Sequence, residues 1–517
     1  MYIPCGALYN ECTSMAFLSS SQRSFLRAAS RLAFCNPFLP ERVAHERAAL
    51  GAEFEDDEPV WSFSIREPER RRANVWRIAA LLDELCPKLR GKLASRVSAN
   101  EEDRVLYEEA VLNLLYQRYY QRFFDAALEE QKSGGATRWR FYTQFLADWR
   151  YFFDMEGLSL PSSYEPAHTF ACFRQLQRAF EHIFLNIIGN SMPAARLRAA
   201  VWQSIFTHDM RRYRRTLFER MGEFATLITG PSGTGKELVA RAIAESPYLR
   251  FDERRMTFPD EEGALFYPIN ISALSPTLVE SELFGHRRGS FTGAIGDRAG
   301  WLETCSAHGS VFVDELGDLE PGIQVKLLRV IETRRFNPVG DTASLRFQGK
   351  LIAATNRDLA SDIQSGRFRE DLYYRLCSDQ ISTPSLAQQL ADSPQVLGES
   401  IAYMARKIAG AESEALAAEA MQWVEQNLGA GYKWPGNYRE LEQCVRNVLI
   451  RRDYRPSRTE SGDTADELAR ELRAGRLTAD QLLRRYCTYI YRQTGSYEET
   501  ARRLQLDRRT VKAKTST

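Results

Sequence analysis

The sequence predicts an α/β core with a parallel sheet and a helical lid, flanked by a mainly α-helical N-terminal region and an all-α C-terminal unit. Three observations lead to this fold class. Apolar and aromatic residues recur at helical spacing up to about residue 185. From there to about residue 452, short apolar runs alternate with helical patterns, as in a parallel sheet with crossover helices. The runs include Thr226–Thr229, Tyr267–Ile271, Ser310–Val313 and Lys350–Ala354. The last fifty residues contain three short helical patterns.

The domain boundaries follow these changes of pattern, and 517 residues suffice for about three domains. The predicted parts are an N-terminal region of residues 1–185, a core of 186–380, a lid of 381–452, a polar linker of 453–467 and a C-terminal domain of 468–517.

Within the N-terminal region, Leu106–Glu129 and Thr137–Asp154 are predicted helices and Val60–Ile65 is a possible strand. The many aromatic residues on these helices either enclose a small ligand or simply form a core. The region lacks the acid-bearing strands of a phosphoreceiver.

Charge and cysteine content exclude several classes of protein. A net charge of +1 argues against a protein that coats nucleic acid over its whole surface, although one small basic domain remains compatible with it. Nine scattered cysteines without CxxC spacing favour reduced thiols over disulfides or zinc. Because neither a signal peptide nor a long apolar run is recognised, we expect a cytoplasmic protein without a membrane partner.

A glycine-rich segment fits the P-loop pattern that binds the phosphates of a nucleotide such as ATP. It reads Gly230-Pro231-Ser232-Gly233-Thr234-Gly235-Lys236, follows an apolar strand and opens a helix. Backbone N–H groups and the helix N-terminus attract phosphate oxygens, and Lys236 neutralises their charge. The next residue is Glu237 instead of a magnesium-ligating Ser or Thr. The alternative is a flexible glycine turn.

A second strand ends in two acids, which indicates a Walker-B arrangement. Asp314 is the expected ligand of Mg²⁺, and Glu315 is expected to polarise the attacking water. The alternative is a pair of solvated acids. A later strand ends at Thr355-Asn356, where Asn356 either senses the γ-phosphate or caps the next helix.

Several sequence blocks resemble the sigma-54-dependent transcriptional activators, which are AAA+ ATPases. Gly289-Ser290-Phe291-Thr292-Gly293-Ala294 is nearly the family's GAFTGA loop. Glu280–His286, Phe368–Leu376 and Trp434–Leu441 match further blocks, so the resemblance covers residues 187–451. It implies an α/β AAA+ P-loop core with a helical lid, which works as a hexameric ring on the sigma-54 RNA polymerase holoenzyme. It also implies a regulatory role for the N-terminal region.

The resemblance also implies roles for single residues. Phe291 and Thr292 would form the loop tip that grips sigma-54; the alternative is a hairpin whose Phe packs on its own domain. Arg369 and Arg375 resemble arginine fingers that reach a neighbouring subunit; the alternative is pairing with Glu370 or Asp371. The further assignments are a switch amide at Asn270 (alternatively a satisfied strand-end amide), a sensor arginine at Arg439, an adenine-pocket segment around Ile188 and a second pore loop within Gly340–Arg346.

The chain departs from the family pattern in three ways. Ser290 replaces the usual Ala. The run from Thr383 to Leu390 lacks the family's charged residues, which puts charge contacts between core and lid in doubt. Extra segments lie at His208–Phe224 and Leu249–Gly263, and the arginines of the first are expected to form a solvated helix face.

The C-terminal pattern resembles a Fis-type helix-turn-helix. Leu482–Arg492, Tyr497–Leu504 and Arg508–Lys514 are predicted helices, with Asp507 as an N-cap and with Ala501, Leu504 and Val511 facing inward. The expected contacts to double-stranded DNA come from Arg508, Arg509, Thr510, Lys512 and Lys514. The alternative is a solvated basic tail.

These features together favour an activator that binds upstream DNA and hydrolyses ATP to open promoters. Two alternatives remain open. One is a DNA-binding regulator whose AAA+ domain serves only as a switch, and the other is an AAA+ remodelling chaperone with a different target.

Overall fold

The computed structural model describes residues 16–56, 59–60, 73–133, 137–156, 160, 165–259, 265–429, 431–456, 468, 472 and 477–515. The chain divides into two compact units, Met1–Arg452 and Asp453–Thr517. The possible strand at residues 61–65 and most of the predicted linker lie outside the described residues.

The first part of the larger unit is built from helices around an aromatic core. The helices are α1 (Ser20–Phe34), α2 (Glu41–Leu50), α3 (Ala73–Ala94), α4 (Glu101–Ser133), α5 (Tyr142–Phe153), α6 (Pro166–Asn186) and α7 (Met192–Phe206). α1 begins at a capping box in which Ser19 and Gln22 satisfy each other's backbone N–H groups. The rings of Phe123, Trp139 and Phe170 are buried at the centre of this core.

The second part contains a five-stranded parallel sheet of order β2-β3-β6-β1-β7. Its strands are β1 (Thr226–Thr229), β2 (Phe266–Asn270), β3 (Ser310–Asp314), β6 (Lys350–Thr355) and β7 (Asp379–Ser382). A separate hairpin pairs β4 (Arg335–Phe336) with β5 (Leu345–Arg346). The predicted parallel α/β sheet is therefore present, and β6 separates the P-loop strand β1 from the acid-bearing strand β3. This topology is the α/β AAA+ core that the resemblance implies.

Helices cover the two faces of this sheet, and a helical lid follows it. The core helices are α8 (Met210–Arg212), α9 (Lys236–Ala244), α10 (Pro276–Phe284), α11 (Trp301–Thr304), α12 (Pro321–Thr333), α13 (Leu359–Gln364) and α14 (Glu370–Leu376). The lid helices are α15 (Leu386–Asp392), α16 (Val396–Ala409), α17 (Ser413–Asn427) and α18 (Asn437–Arg451). A capping box of Ser385 and Gln388 starts the lid.

The two extra segments connect the helical part to the core. Arg211 contacts Glu109 on α4 and lies over the ring of Phe34, and Arg214 is buried. The expectation of a solvated arginine face is therefore wrong for Arg214, whereas Arg211 is exposed although it also pairs with Glu109. After α9, Phe251 and Phe258 insert into the same aromatic core as Phe170.

The smaller unit contains three helices among the residues that can be described. They are α19 (Ala479–Thr494), α20 (Tyr497–Leu504) and α21 (Arg508–Thr515). Val511 and Ala501 are buried, whereas Leu504 is half-buried. As expected, Asp507 accepts a hydrogen bond from the backbone N–H of Arg509 at the start of α21.

Neither membrane-spanning helices nor disulfides occur in the part of the chain that the structure describes. None of its helices combines the length and apolar character needed to cross a bilayer. Its cysteines, from Cys35 to Cys487, are free thiols.

Candidate functional site

The predicted P-loop joins the carboxyl end of β1 to the N-terminus of α9, and its backbone is closely packed. Gly230 has φ +145°, and a Cβ there would lie 2.1 Å from Oγ1 of Thr383, so only glycine fits. The Lys236 ammonium donates to the carbonyls of Gly230 and Pro231 at 3.0 and 3.1 Å. This lysine is thereby held against the loop at the helix N-terminus, where phosphate would bind.

The two predicted acids lie at the same edge of the sheet as the lysine. Burial lowers the pKa of Lys236, and the negative charges of Glu315 and Asp314 oppose this shift. Burial likewise raises the pKa of Asp314, against the effect of a hydrogen bond from the Glu315 backbone. The three charged groups are thus close enough to affect one another in a partly desolvated setting.

Two predicted polar sensors lie on strands next to the acids. Asn270 ends β2 in register with Asp314, and it is exposed. Asn356 follows β6 and is also exposed, but the helix after it is capped by Asp358, whose carboxylate accepts from Ala360 and Ser361. The capping alternative for Asn356 is therefore wrong.

The start of the lid helix α18 is docked on the P-loop. Arg439 donates to Oγ of Ser232 at 3.1 Å, and the Asn437 amide donates to the Ser232 carbonyl at 2.9 Å. A Cβ on Gly233 would lie 2.4 Å from the carbonyl oxygen of Gly436. The predicted sensor arginine thus reaches the nucleotide loop from a different subdomain.

Neutral groups link core and lid where the family has charged residues. Thr383 shares a hydrogen bond of 2.6 Å with Thr234 of the P-loop, and the Asn437 side chain accepts from the Leu386 backbone. Neither Thr383 nor Asn437 was assigned a role from the sequence, although both lie in the segments compared with the family. Their long-range partners could not be seen in the local pattern.

The segment containing Ile188 lies between α7 and the lid. Gly189 is packed against Gln389 and Val396, and the Asn190 amide donates to Glu399 at 2.6 Å. Ile188 itself is half-buried. This segment is placed where a movement of the lid would change its surroundings.

The Gly289–Ala294 loop closes on itself through hydrogen bonds between its ends. The Gly289 N–H donates to the Ala294 carbonyl at 2.9 Å. The Phe291 ring is half-buried and packs edge-on against His286 at a centroid distance of 4.9 Å, whereas Thr292 is exposed. In this single subunit Phe291 therefore contacts its own domain, as the alternative supposed, but it does not enter the interior.

The predicted second loop is tied to the base of the first. The Arg287 N–H donates to the Val339 carbonyl at 3.0 Å, and Arg287 pairs with Asp341 at 2.8 Å. The Ser290 hydroxyl oxygen is buried and has no hydrogen-bond partner among the described residues. The two loops thus form one surface assembly.

The two candidate arginine fingers lie at the ends of α14 and are paired within the subunit. Arg369 makes a bidentate ion pair with Asp371 at 2.6 and 3.0 Å, as the alternative supposed. Arg375 pairs with Glu332 at 3.0 Å instead of Glu370 or Asp371. Both guanidinium groups are about half exposed.

The basic residues of α21 differ in their surroundings. Arg508 pairs with Glu498 at 3.0 Å, and Lys514 pairs with Asp480 of α19. Arg509 and Lys512 are exposed. The predicted DNA-contact set therefore contains two residues that are engaged inside their own unit.

Comparison with known proteins finds a family match over the core segment. Residues 206–382 match the family model described as the sigma-54 interaction domain. The chain is similar to the Nif-specific regulatory protein of Herbaspirillum seropedicae, with 38% identity over 275 residues, 53% of this chain and 44% of that protein. It is 41% identical over 228 residues to the transcriptional regulatory protein ZraR of Escherichia coli strain K12, which covers 44% of this chain and 47% of that protein.

A third relative is the nitrogen fixation protein VnfA of Azotobacter vinelandii, with 35% identity over 285 residues, 54% of this chain and 47% of that protein. The chain thus spans a little under half the length of these relatives.

Proposed function

Since this chain belongs to the family of sigma-54-dependent transcriptional activators, we propose that it hydrolyses ATP to remodel the sigma-54 RNA polymerase holoenzyme while bound to upstream double-stranded DNA. The observation that carries the proposal is the grouping of Lys236, Asp314 and Glu315 at one edge of the sheet. Such a protein acts in the cytoplasm.

The residues at this edge fit a nucleotide and its metal. Lys236 and the P-loop amides would hold the phosphates, and Arg439 would approach them from the lid. No group of three or more metal-binding side chains occurs among the described residues. Asp314 would therefore hold Mg²⁺ together with phosphate oxygens and water, as this ion prefers. When bound, Mg²⁺ neutralises charge that develops on the phosphates.

Glu315 would orient the attacking water, because it follows Asp314 directly and faces the same partly buried edge. Replacement of a group with this role costs about 10²–10⁴-fold in rate. We expect Glu315→Gln to bind ATP but to hydrolyse it slowly. Asn270 ends the neighbouring strand in register with Asp314, and it would act as a switch for Glu315.

Assembly into a ring, which we propose to be a hexamer, would complete each site. Arg369 and Arg375 are half exposed and held only by surface ion pairs, which contribute little in water. A neighbouring subunit's γ-phosphate could therefore take over these guanidinium groups at small cost. Their pairing in the single subunit is compatible with a finger role.

The Gly289–Ala294 loop would contact sigma-54. Thr292 is exposed at its tip, and Phe291 rests on His286 through a single ring contact that a partner could replace. The ties to the second loop would transmit movements of the core to this tip.

The smaller unit would bind DNA through a helix-turn-helix formed by α20 and α21. Arg509, Thr510 and Lys512 would make phosphate and base contacts, whereas Arg508 and Lys514 would first leave their acidic partners. We expect Arg509→Ala to weaken DNA binding and to reduce its salt dependence by about one counterion if that arginine contacts a phosphate. Fluorescence anisotropy at several salt concentrations measures both effects.

The decisive experiment compares ATP hydrolysis with promoter opening in the Thr292→Ala variant. We expect normal ATPase activity and a loss of open-complex formation, measured by permanganate footprinting, because Thr292 is exposed on the surface loop and is not part of the P-loop. Normal opening by this variant would refute the role of the loop.

Two further results would favour the alternatives. Failure to capture sigma-54 with a transition-state analogue would favour a switch-type regulator. Failure of the full chain to bind DNA sequence-specifically would favour a remodelling chaperone.

A further inference from the structure

A cavity of about 260 Å³ lies where the N-terminal helices meet α7 and the arginine-rich segment. Its walls come from α1, α2, α3, α4, α6 and α7, together with Tyr213 and Arg214. For comparison, an engineered apolar cavity of about 150 Å³ is large enough to bind benzene. This cavity therefore has room for about one or two fused aromatic rings.

Many aromatic rings line the cavity. They lie on five different helices and include Phe34, Trp76, Tyr116, Phe173, Phe180 and Trp202. Aromatic side chains prefer edge-on or offset contacts with other rings, which are worth more than the area they bury. A flat aromatic molecule is the ligand that such walls favour.

The polar groups of the walls favour a neutral ligand with one acceptor. The Tyr116 hydroxyl is buried and has no hydrogen-bond partner among the described residues. Arg42 and Glu46 pair with each other at 2.6 Å, and the wall residue Glu109 pairs with Arg211, so these charges are largely compensated. Burial raises the pKa values of Cys35 and Cys172 to about 12, which keeps both thiols neutral.

We propose that this cavity binds a small neutral aromatic molecule of one or two rings whose carbonyl, or an equivalent acceptor, takes the hydrogen bond of Tyr116. A buried hydroxyl without a partner is costly, and such a ligand would satisfy it. The bound ring would fill space that the surrounding side chains leave open.

The wall of the cavity is also connected to the P-loop helix. The Tyr213 hydroxyl donates to Gln175 of α6 at 2.6 Å, and the same Gln175 amide donates to the carbonyl of Ser246, two residues after α9. Arg178, one turn further along α6, donates to the Glu245 carbonyl at 3.1 Å. Occupancy of the cavity would therefore shift the affinity for nucleotide, a consequence that rests on the proposed function.

Binding is tested by calorimetry on the full chain with 2-acetylnaphthalene, which carries an acceptor, and 2-ethylnaphthalene, which does not. We expect Tyr116→Phe to weaken binding of the ketone about 5-fold, the ratio that corresponds to one neutral hydrogen bond, and to leave the hydrocarbon unaffected. This variant should fold, since it only removes an unpartnered hydroxyl.

Tyr119→Phe is the matched control, because it removes a hydroxyl of the same helix that bonds to Asp148 and does not line the cavity. Unchanged ketone affinity in this control supports the proposal. Absence of ketone binding to the wild type up to its solubility, or equal affinities of wild type and Tyr116→Phe, would overturn it.

The connection to the P-loop is tested by measuring the Kd of ADP with and without saturating 2-acetylnaphthalene. We expect at least a twofold change in the wild type and none in Gln175→Met, which keeps the side-chain volume and loses the relay. An unchanged Kd in the wild type would overturn the relay. A wild type that binds no ADP would instead contradict the proposed ATPase, and the calorimetry would still decide the cavity proposal.

Discussion

Gly340→Ala should separate the two surface loops without touching the nucleotide site. Gly340 has φ +78°, and an added Cβ would lie 2.6 Å from Cβ of Ser290, where ordinary contacts begin at about 3.4 Å. Ser290 cannot turn away from this Cβ, because two contacts hold the loops together. These are the hydrogen bond from the Arg287 N–H to the Val339 carbonyl and the Arg287–Asp341 ion pair. Ser290 would have to move by almost 1 Å.

The magnitude follows from the backbone and from the contact. A non-glycine residue in the left-handed region costs about 1–2 kcal/mol, and the close contact adds to this. If the loop relieves this strain by leaving its position, the affinity for sigma-54 should fall about tenfold, which corresponds to a binding free energy weaker by about 1.4 kcal/mol. ATP turnover should be retained.

Gly366→Ala isolates the backbone contribution, because Gly366 has φ +72° and no atom within 4 Å of an added Cβ. Affinity for fluorescently labelled sigma-54 can be measured by anisotropy in the presence of ADP and aluminium fluoride. Equal affinities of Gly340→Ala and Gly366→Ala would show that the contact with Ser290 does not hold the loop in its binding position.

Three further predictions concern polar groups. Ser290→Ala should raise stability or leave it unchanged, because it removes a buried hydroxyl without a partner among the described residues; a clear drop in the Tm of the full chain would contradict this. Arg211→Ala should expose the segment around residue 210 to limited proteolysis at a cost of about 1 kcal/mol, since Glu109 loses its ion-pair partner and keeps only the hydrogen bond from Ser30, whereas Arg212→Ala should not. Burial lowers the pKa of Lys350 from 10.5 to about 8. Between these pH values the unfolded chain therefore binds more protons than the folded chain. The free energy of unfolding should rise with pH across that window, by up to about 3 kcal/mol. Thermal unfolding at pH 7.5 and 10 should show this rise in the wild type and not in Lys350→Met.

Local patterns were sufficient for the elements of the core. β1 was predicted with its observed ends, and β3 differs by one residue, because short apolar runs between turn residues have few other interpretations. The P-loop and the acids at 314 and 315 come together as expected, since carboxyl ends of parallel strands share an edge.

Side-chain partners distant in sequence were beyond prediction. Arg211 was expected on a solvated helix face and is exposed, but its ion pair with Glu109, which lies 102 positions away, was not foreseen. Lys514 was assigned to DNA from the charge of its helix, and its partner Asp480 lies 34 positions earlier. Asn356 and Asp358 are both acceptable caps in sequence, and only the backbone path selects Asp358.

The insertion of Phe251 and Phe258 among rings of the N-terminal helices has a practical consequence for dissecting this protein. A fragment beginning near residue 186 would keep these two side chains but lose the surfaces that bury them. It would therefore expose an apolar patch to water. Aggregation or altered ATP turnover of such a fragment would then reflect the loss of this hydrophobic core. Only substitutions in the intact chain can show whether the N-terminal helices inhibit the AAA+ core or stabilise it.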